Sequence, residues 1–202
     1  MNFSCQLIAW YKINSRDLPW RNTNDPYKIW LSEIILQQTK VQQGLPYFNS
    51  FIREFPTIFD LAKSSEDKVL KLWQGLGYYS RARNLHYTAK YICSKYDGDF
   101  PKNYKDILSL KGVGDYTASA ISSFAYNKRY AVLDGNVIRV LSRVFGIDSY
   151  FDTSSGKKQF KKLADFNLPI KDSYTYNQAI MEFGALVCTP KAPKCIDCTF
   201  QD

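Results

Sequence analysis

The sequence predicts an all-α protein, and three observations carry that prediction. Apolar residues recur with a helical period along most of the chain, strand-like alternation is scarce, and several apolar stretches open on helix-start signals. In RARNLHYTAKYICSKY, Leu85, Ala89, Ile92, Cys93 and Tyr96 share one face, and Gly98 punctuates the end. NVIRVLSRVF sets Val137, Val140, Leu141 and Val144 on a stripe, with Arg139 and Arg143 turned elsewhere. FPTIFDLAKS and SSEDKVLKLW each carry a hydroxyl residue three positions before an acid, a workable helix start. The pattern gives roughly ten short helices, and no linker-like segment divides them. Any two lobes are therefore built from interleaved stretches of chain.

Composition bounds the partners. With 202 residues, 45% hydrophobic and 16% aromatic, the chain can bury a substantial interior and is not of the disordered type. Lys and Arg outnumber Asp and Glu by 27 to 19, a net charge of +8 that favours a polyanionic partner through phosphate neutralisation. An incidentally basic surface is the plain alternative. No stretch approaches the roughly 18 apolar residues needed to cross a bilayer, and the N-terminus lacks a secretory leader, so a soluble, cytoplasmic protein without a membrane partner is expected. Three of the five cysteines cluster in CTPKAPKCIDC, which argues against a secreted disulfide framework and suggests part of a metal cage.

Two segments depart from ordinary core-and-surface logic. In SLKGVGDYTASAI (109–121), Gly112-Val113-Gly114 forms a hairpin between helical stretches, and the second helix starts near Asp115. Such a turn aims amide donors outward at a helix N-terminus, where partial positive charge suits a phosphate oxygen. A plain helix–helix turn is the other reading. In AVLDGNVIRV (131–140), Asp134 precedes Gly-Asn and a helix; it reads as an N-cap aspartate or as a catalytic carboxylate. Glu33, in WLSEIILQQTK beside Trp30, Ile34 and Ile35, offers a second carboxylate. It either lies on an exposed face or is buried for a purpose.

LPWRNTNDPYKIWLSEIILQQTKV, GLGYYSRARNLH, LKGVGDYTA, VLDGNVIRVLSR and NQAIMEFGALVCTPKAPKCIDC follow one another in this order. The series closely resembles A/G-specific adenine DNA glycosylases of the MutY type, in the helix–hairpin–helix glycosylase superfamily, over about residues 10–200. The resemblance implies two helical lobes with a DNA-binding cleft between them. One is a six-helix barrel over 22–130, with the helix–hairpin–helix motif near 107–126. The other joins 1–21 to 131–202 and carries an iron–sulfur loop at 188–202. It also implies a monofunctional glycosylase, a monomer, acting on double-stranded DNA in which adenine is mispaired with 8-oxoguanine or guanine. That reaction starts base excision repair.

The implied roles follow the chemistry. Glu33 matches the general acid that protonates the leaving adenine at N7, a role needing a raised pKa that apolar Ile34, Ile35 and Leu36 would supply by desolvation. Asp134 matches the carboxylate that stays ionised and stabilises the cationic sugar or bonds to it transiently, oriented by Asn136. Tyr116 stands where glycosylases resembling endonuclease III carry a nucleophilic lysine, which implies hydrolysis without lyase chemistry; an aromatic core residue is its alternative. Gln38 and Tyr78 match positions that wedge into the duplex, and Arg21, Leu36 and Gln178 match positions around the extruded base, Leu36 being equally credible as core. Lys111, Gly112, Val113 and Gly114 would clamp backbone phosphate, although Lys111 replaces the family's usual proline. Arg81 and Arg83 read as phosphate contacts or as solvated helix charges. His86 packs or hydrogen-bonds rather than catalyses.

Cys188, Cys195 and Cys198 match the first three ligands of the family's C-x6-C-x2-C-x5-C motif, which holds a [4Fe–4S] cluster. The fourth position would fall at 204, and Cys5 and Cys93 are poor substitutes, so an incomplete chain lacking that ligand and a further 8-oxoguanine-recognising domain is expected. Rival readings are a glycosylase for mispaired thymine or oxidised pyrimidines, a non-catalytic mismatch-binding module, and a zinc-binding structural protein.

Overall fold

The computed structural model describes residues 2–201. Eleven α-helices are present among them, with no strand: α1 Phe3–Asn14, α2 Pro26–Leu36, α3 Val41–Glu54, α4 Ile58–Lys63, α5 Glu66–Trp73, α6 Ser80–Tyr96, α7 Tyr104–Leu108, α8 Asp115–Phe124, α9 Gly135–Phe145, α10 Ser154–Asn167 and α11 Ser173–Leu186. Short 3-10 turns occupy Pro19–Arg21 and Cys195–Asp197. No helix among the described residues is long and apolar enough to cross a membrane.

Local signals set the helix ends. Thr57 and Asp60 form a reciprocal capping box at α4, and the Ser65 hydroxyl accepts from Lys68 N at α5. The α5 cap thus falls one residue later than the Ser64–Asp67 spacing suggests, because Ser64 is used to close α4. At the end of α6, Asp97 and Gly98 both take positive φ, and the stripe read from sequence buries Leu85, Ala89 and Ile92.

The chain divides into two compact units. One spans Leu18–Tyr126 and is built around α2, which touches α3, α6 and α8 and buries eight of its eleven residues. A helix apolar on every side belongs in an interior, and its neighbours supply aromatic packing: Trp30 against Phe100, Phe51 against Trp73, Trp20 against Phe48. The other unit takes the chain up to Asp17 together with the stretch from Asn127 onward. There α11 packs on α1 and α9, and α10 on α9. Its staple is a buried ion pair: Glu182, 1% exposed, accepts from Arg16 N, Nε and Nη2 at 2.9, 2.8 and 2.6 Å. Both carboxylate oxygens are engaged, which is what makes a charge at this depth tolerable.

Candidate functional site

Within Leu18–Tyr126, Glu33 lies on α2, a helix opened by the Asp25 carboxylate, which accepts from Tyr27 N, and by Pro26 at its first turn. Glu33 is 7% exposed, so of its two readings the exposed-face one is excluded. Leu36 closes α2 and is half-buried; a Cβ added to Gly44 of α3 would come within 2.8 Å of its Cδ2, so it packs on α3. Arg21 ends the Pro19–Arg21 turn, half-buried.

Gln38 and Tyr78 share an uncommon feature. Both are non-glycine residues with positive φ (54° and 45°), and both are exposed, Tyr78 by 68%. Holding a side chain there costs energy that neighbouring contacts must offset. Arg81 supplies those contacts. Its Nη1 donates to the carbonyls of Ile34, Ile35 and Gln37 at 3.0, 3.1 and 2.6 Å, and its Nη2 to Leu76 and Gly77 at 3.1 and 3.4 Å. One guanidinium thus satisfies the open carbonyls at the α2 C-terminus and ties that end to the turn bearing Tyr78. Arg81 is therefore neither a solvated helix charge nor free to grip phosphate, in contrast to both readings from sequence: its Nη donors are spent on backbone. Arg83 differs, reaching only exposed Glu66 at 3.4 Å. His86 is buried with Nε2 3.0 Å from the Ser64 carbonyl, and burial and nearby Lys90 lower its pKa, which favours the neutral ring.

The hairpin joins α7 to α8. Val113 is buried and anchors it, while Lys111, Gly112 and Gly114 are exposed. The Thr88 hydroxyl donates to the Lys111 carbonyl at 2.9 Å, tying the turn to α6. Gly112 has φ +82°, and a Cβ there would lie 2.9 Å from Asn84 Cβ, so glycine is required twice over. At Gly114, the N-cap of α8, a Cβ would meet nothing within 4 Å. No side chain caps this end, so packing does not demand glycine at 114, and an exposed set of helix-start amides results. Tyr116 is half-buried in the first turn of α8.

In the second unit, Asp134 is the N-cap of α9. Its Oδ1 accepts from Val137 N at 2.8 Å and its Oδ2 from Asn136 Nδ2 at 2.7 Å. Burial pushes this carboxyl above its ordinary range, opposed by those hydrogen bonds and by the charge of Arg139. The N-cap reading and the carboxylate reading are thus the same geometry: the helix N-terminus that the side chain caps also favours its ionised form. Asn136 is fixed in turn, since Arg139 Nη2 donates to its Oδ1 at 2.8 Å and to the Gly184 carbonyl at 2.7 Å, and Arg139 Nε donates to the Cys188 carbonyl at 2.7 Å. Gly184 lets α11 come close: a Cβ there would lie 2.6 Å from Asn136 Cβ. Gln178 is buried on α11. Arg139 had been read only as a charge facing away from the apolar stripe; its i+3 spacing from Asn136 on one helix was the available signal.

Cys188 is buried, Cys195 exposed and Cys198 half-buried. Among the described residues, no three His, Cys, Asp or Glu side chains gather into a group that could hold a metal, so the expected trio does not fit a cluster as placed. Other partners take the loop: Arg143 Nη1 lies 3.5 Å from Cys188 Sγ and donates to the Thr189 carbonyl, Phe200 N donates to Cys198 Sγ at 3.4 Å, and the Phe200 ring packs on Phe3 and Phe183. Cys93 Sγ points to the Ile58 carbonyl at 3.8 Å and Cys5 is exposed.

Comparison with known proteins shows the family of the chain. Residues 31–165 match the HhH-GPD superfamily of base excision DNA repair proteins. An adenine DNA glycosylase of Buchnera aphidicola from Schizaphis graminum is 43% identical over 97% of this chain and 57% of its own length; the human adenine DNA glycosylase is 39% identical over 97% and 38%. The chain spans about half the length of the curated Buchnera relatives it matches. A thermostable thymine-DNA glycosylase superposes with a TM-score of 0.89 at 32% identity, covering 98% of this chain and 91% of that one. An endonuclease III in a non-covalent DNA complex superposes at 0.83 with 18% identity, a likeness of fold, covering 98% and 89%. The chain belongs to the HhH-GPD superfamily of base excision DNA repair proteins.

Proposed function

We infer that this chain carries the excision chemistry of an adenine DNA glycosylase acting on double-stranded DNA. The observation that carries the reading is the Asp134 constellation: a carboxylate at a helix N-terminus, held by Val137 N–H and by an Asn136 amide that Arg139 immobilises. Nothing in the packing of α9 calls for a carboxylate there, since Asn or Ser caps a helix as well. A fixed anion stabilises the oxocarbenium-like sugar as the N-glycosidic bond breaks, which is electrostatic catalysis of the preorganised kind. Glu33 gives its proton to N7 of the departing adenine, and water completes the sugar. Tyr116, with no amine, forms no Schiff base, so the abasic strand stays intact.

Gly112, Gly114 and Lys111 contact backbone phosphate, the first two through amides at the α8 start. Gln38 and Tyr78 enter the duplex where the base leaves, and Arg21, Leu36 and Gln178 surround the extruded adenine. No step of this reaction runs through Cys188, Cys195 or Cys198. The likeness to a thymine-DNA glycosylase supports one rival substrate, thymine opposite guanine. Duplexes carrying adenine opposite 8-oxoguanine, adenine opposite guanine, or thymine opposite guanine, treated with alkali after incubation, separate the two. Strand scission at adenine, absent with Asp134→Asn, is expected; scission only at thymine, or none with any duplex, refutes the adenine reading.

A further inference from the structure

Residues 127–134 lead into α9 and end on Asp134, and they belong to no helix and no strand. Ala131 and Val132 in that stretch are nevertheless buried, 4% and 1% exposed. Buried backbone outside helices and ladders needs hydrogen-bond partners from elsewhere. Here α11 supplies them through one side chain. Asn177, 1% exposed, donates from Nδ2 to the Tyr130 carbonyl at 2.8 Å and accepts at Oδ1 from Val132 N at 3.4 Å, the shorter bond being the stronger. One amide thus grips the backbone on both sides of Ala131 with a donor and an acceptor, as a residue of a parallel neighbouring strand would.

A buried amide within α11 is costly for the helix itself, since asparagine is a poorer helix former than alanine and its polar atoms must be paired. What it secures is register. Asn177 and Gly184 lie seven residues apart on one face of α11, about 10 Å along its axis at 1.5 Å per residue. At Gly184 the helix meets Asn136 of α9, and at Asn177 it meets the approach to α9. Asp134 stands between these two anchors in the chain. A single anchor would leave a pivot, whereas two hold the carboxylate at one height and angle along α11. The same helix bears Gln178, so the register also sets Asp134 against that residue. We propose that Asn177 is a positioning residue for excision, fixing the segment that carries Asp134 without touching substrate. This rests on the catalytic role inferred above for Asp134.

The test pairs Asn177→Leu, near-isosteric without polar atoms, with Asn177→Ala, whose smaller side chain leaves room for a water to pair the two backbone groups. The probe is a duplex carrying adenine opposite 8-oxoguanine, under single turnover with saturating enzyme. Asn177→Leu should lower the excision rate constant about 100-fold, the scale of a misplacement of one ångström, with duplex affinity retained; Asn177→Ala should fall between it and the parent. Phe160→Leu, a core truncation on α10 of the same unit, shows what a purely structural role does: a lower Tm with an unchanged rate constant, because saturating enzyme reports only folded molecules. Hydrogen exchange adds a readout independent of activity. The Val132 amide should exchange about tenfold faster in both variants, while the centres of α9 and α11 stay protected. Parental rate constants in both variants with only a lower Tm, or unchanged Val132 exchange, overturn the proposal. A parent inactive on every duplex refutes the Asp134 reading and this proposal with it; a parent that excises while both variants keep its rate refutes this proposal alone.

Discussion

Arg81→Met removes the fork that holds two strained turns together, and its cost can be worked from contacts. Four of the five guanidinium–carbonyl bonds are 3.1 Å or shorter, and the group also lies 5.0 Å from the Trp73 ring. At about 1 kcal/mol net for each of those bonds, the loss is about 4 kcal/mol, and the half-exposed setting argues against a larger value. Arg81→Lys keeps a charge but lacks the planar fork; with roughly half the bonds recovered, it should lose about 2 kcal/mol. For a chain of this size those figures correspond to Tm decreases of about 8–16 °C and 4–8 °C. Urea denaturation of parent and variants measures the energies, and hydrogen exchange locates them. Exchange should rise at 34–40 and 76–80, the segments carrying Gln38 and Tyr78, and leave α9 and α11 protected. A phosphate contact would behave oppositely: normal stability, weaker DNA binding in every sequence, and a salt dependence shallower by about one counterion. Stability of Arg81→Met within about 1 kcal/mol of the parent would refute the clamp.

Three further outcomes are expected. The raised Asp134 pKa means that the folded chain holds this proton more tightly than the unfolded one; the stability so gained is present below the unfolded carboxylate value and lost as pH rises through the folded value. Asp134→Asn, which can still cap α9, should therefore melt above the parent at pH 7–8, with the gain vanishing toward pH 3, while single-turnover excision is lost; a Tm gain that is the same at both ends contradicts this. Excision by the parent should fall as pH drops through a value above the ordinary carboxylate range, and Asn136→Ala, deprived of one bond favouring the anion, should move that acid limb higher; an unmoved limb counts against the role of Asn136. At the hairpin, Gly112→Ala should destabilise by about 1–3 kcal/mol through positive φ and the Asn84 contact. Gly114→Ala should leave Tm nearly unchanged and weaken duplex binding, so a large Tm loss at 114 would remove the ligand argument for that glycine.

How much was legible depends on the distance over which each feature is decided. The α6 and α9 stripes and the Thr57–Asp60 cap were readable because their partners lie within a few residues, where helical geometry alone fixes who meets whom. Glu33 showed as a charge inside an apolar run, but its depth did not, since exposure depends on α3, α6 and α8 closing over α2. Arg81 was misread because its acceptors are carbonyls 44 to 47 residues back, and a backbone carbonyl leaves no trace in a sequence. The Arg16–Glu182 pair, 166 residues apart, left no local signal either. The cysteine spacing did carry a ligand pattern, yet the loop as folded engages Arg143 and Phe200 instead.

By itself, then, the sequence determined the helical class, the helix ends and the residue types offered to chemistry, because periodicity and capping are local and motif order survives without coordinates. Only the tertiary structure decided which arginines serve backbone and which face solvent, and how the Asp134 carboxylate is held. Those outcomes rest on hydrogen bonds and packing between segments distant in the chain, and such partners exist only once the helices are brought together.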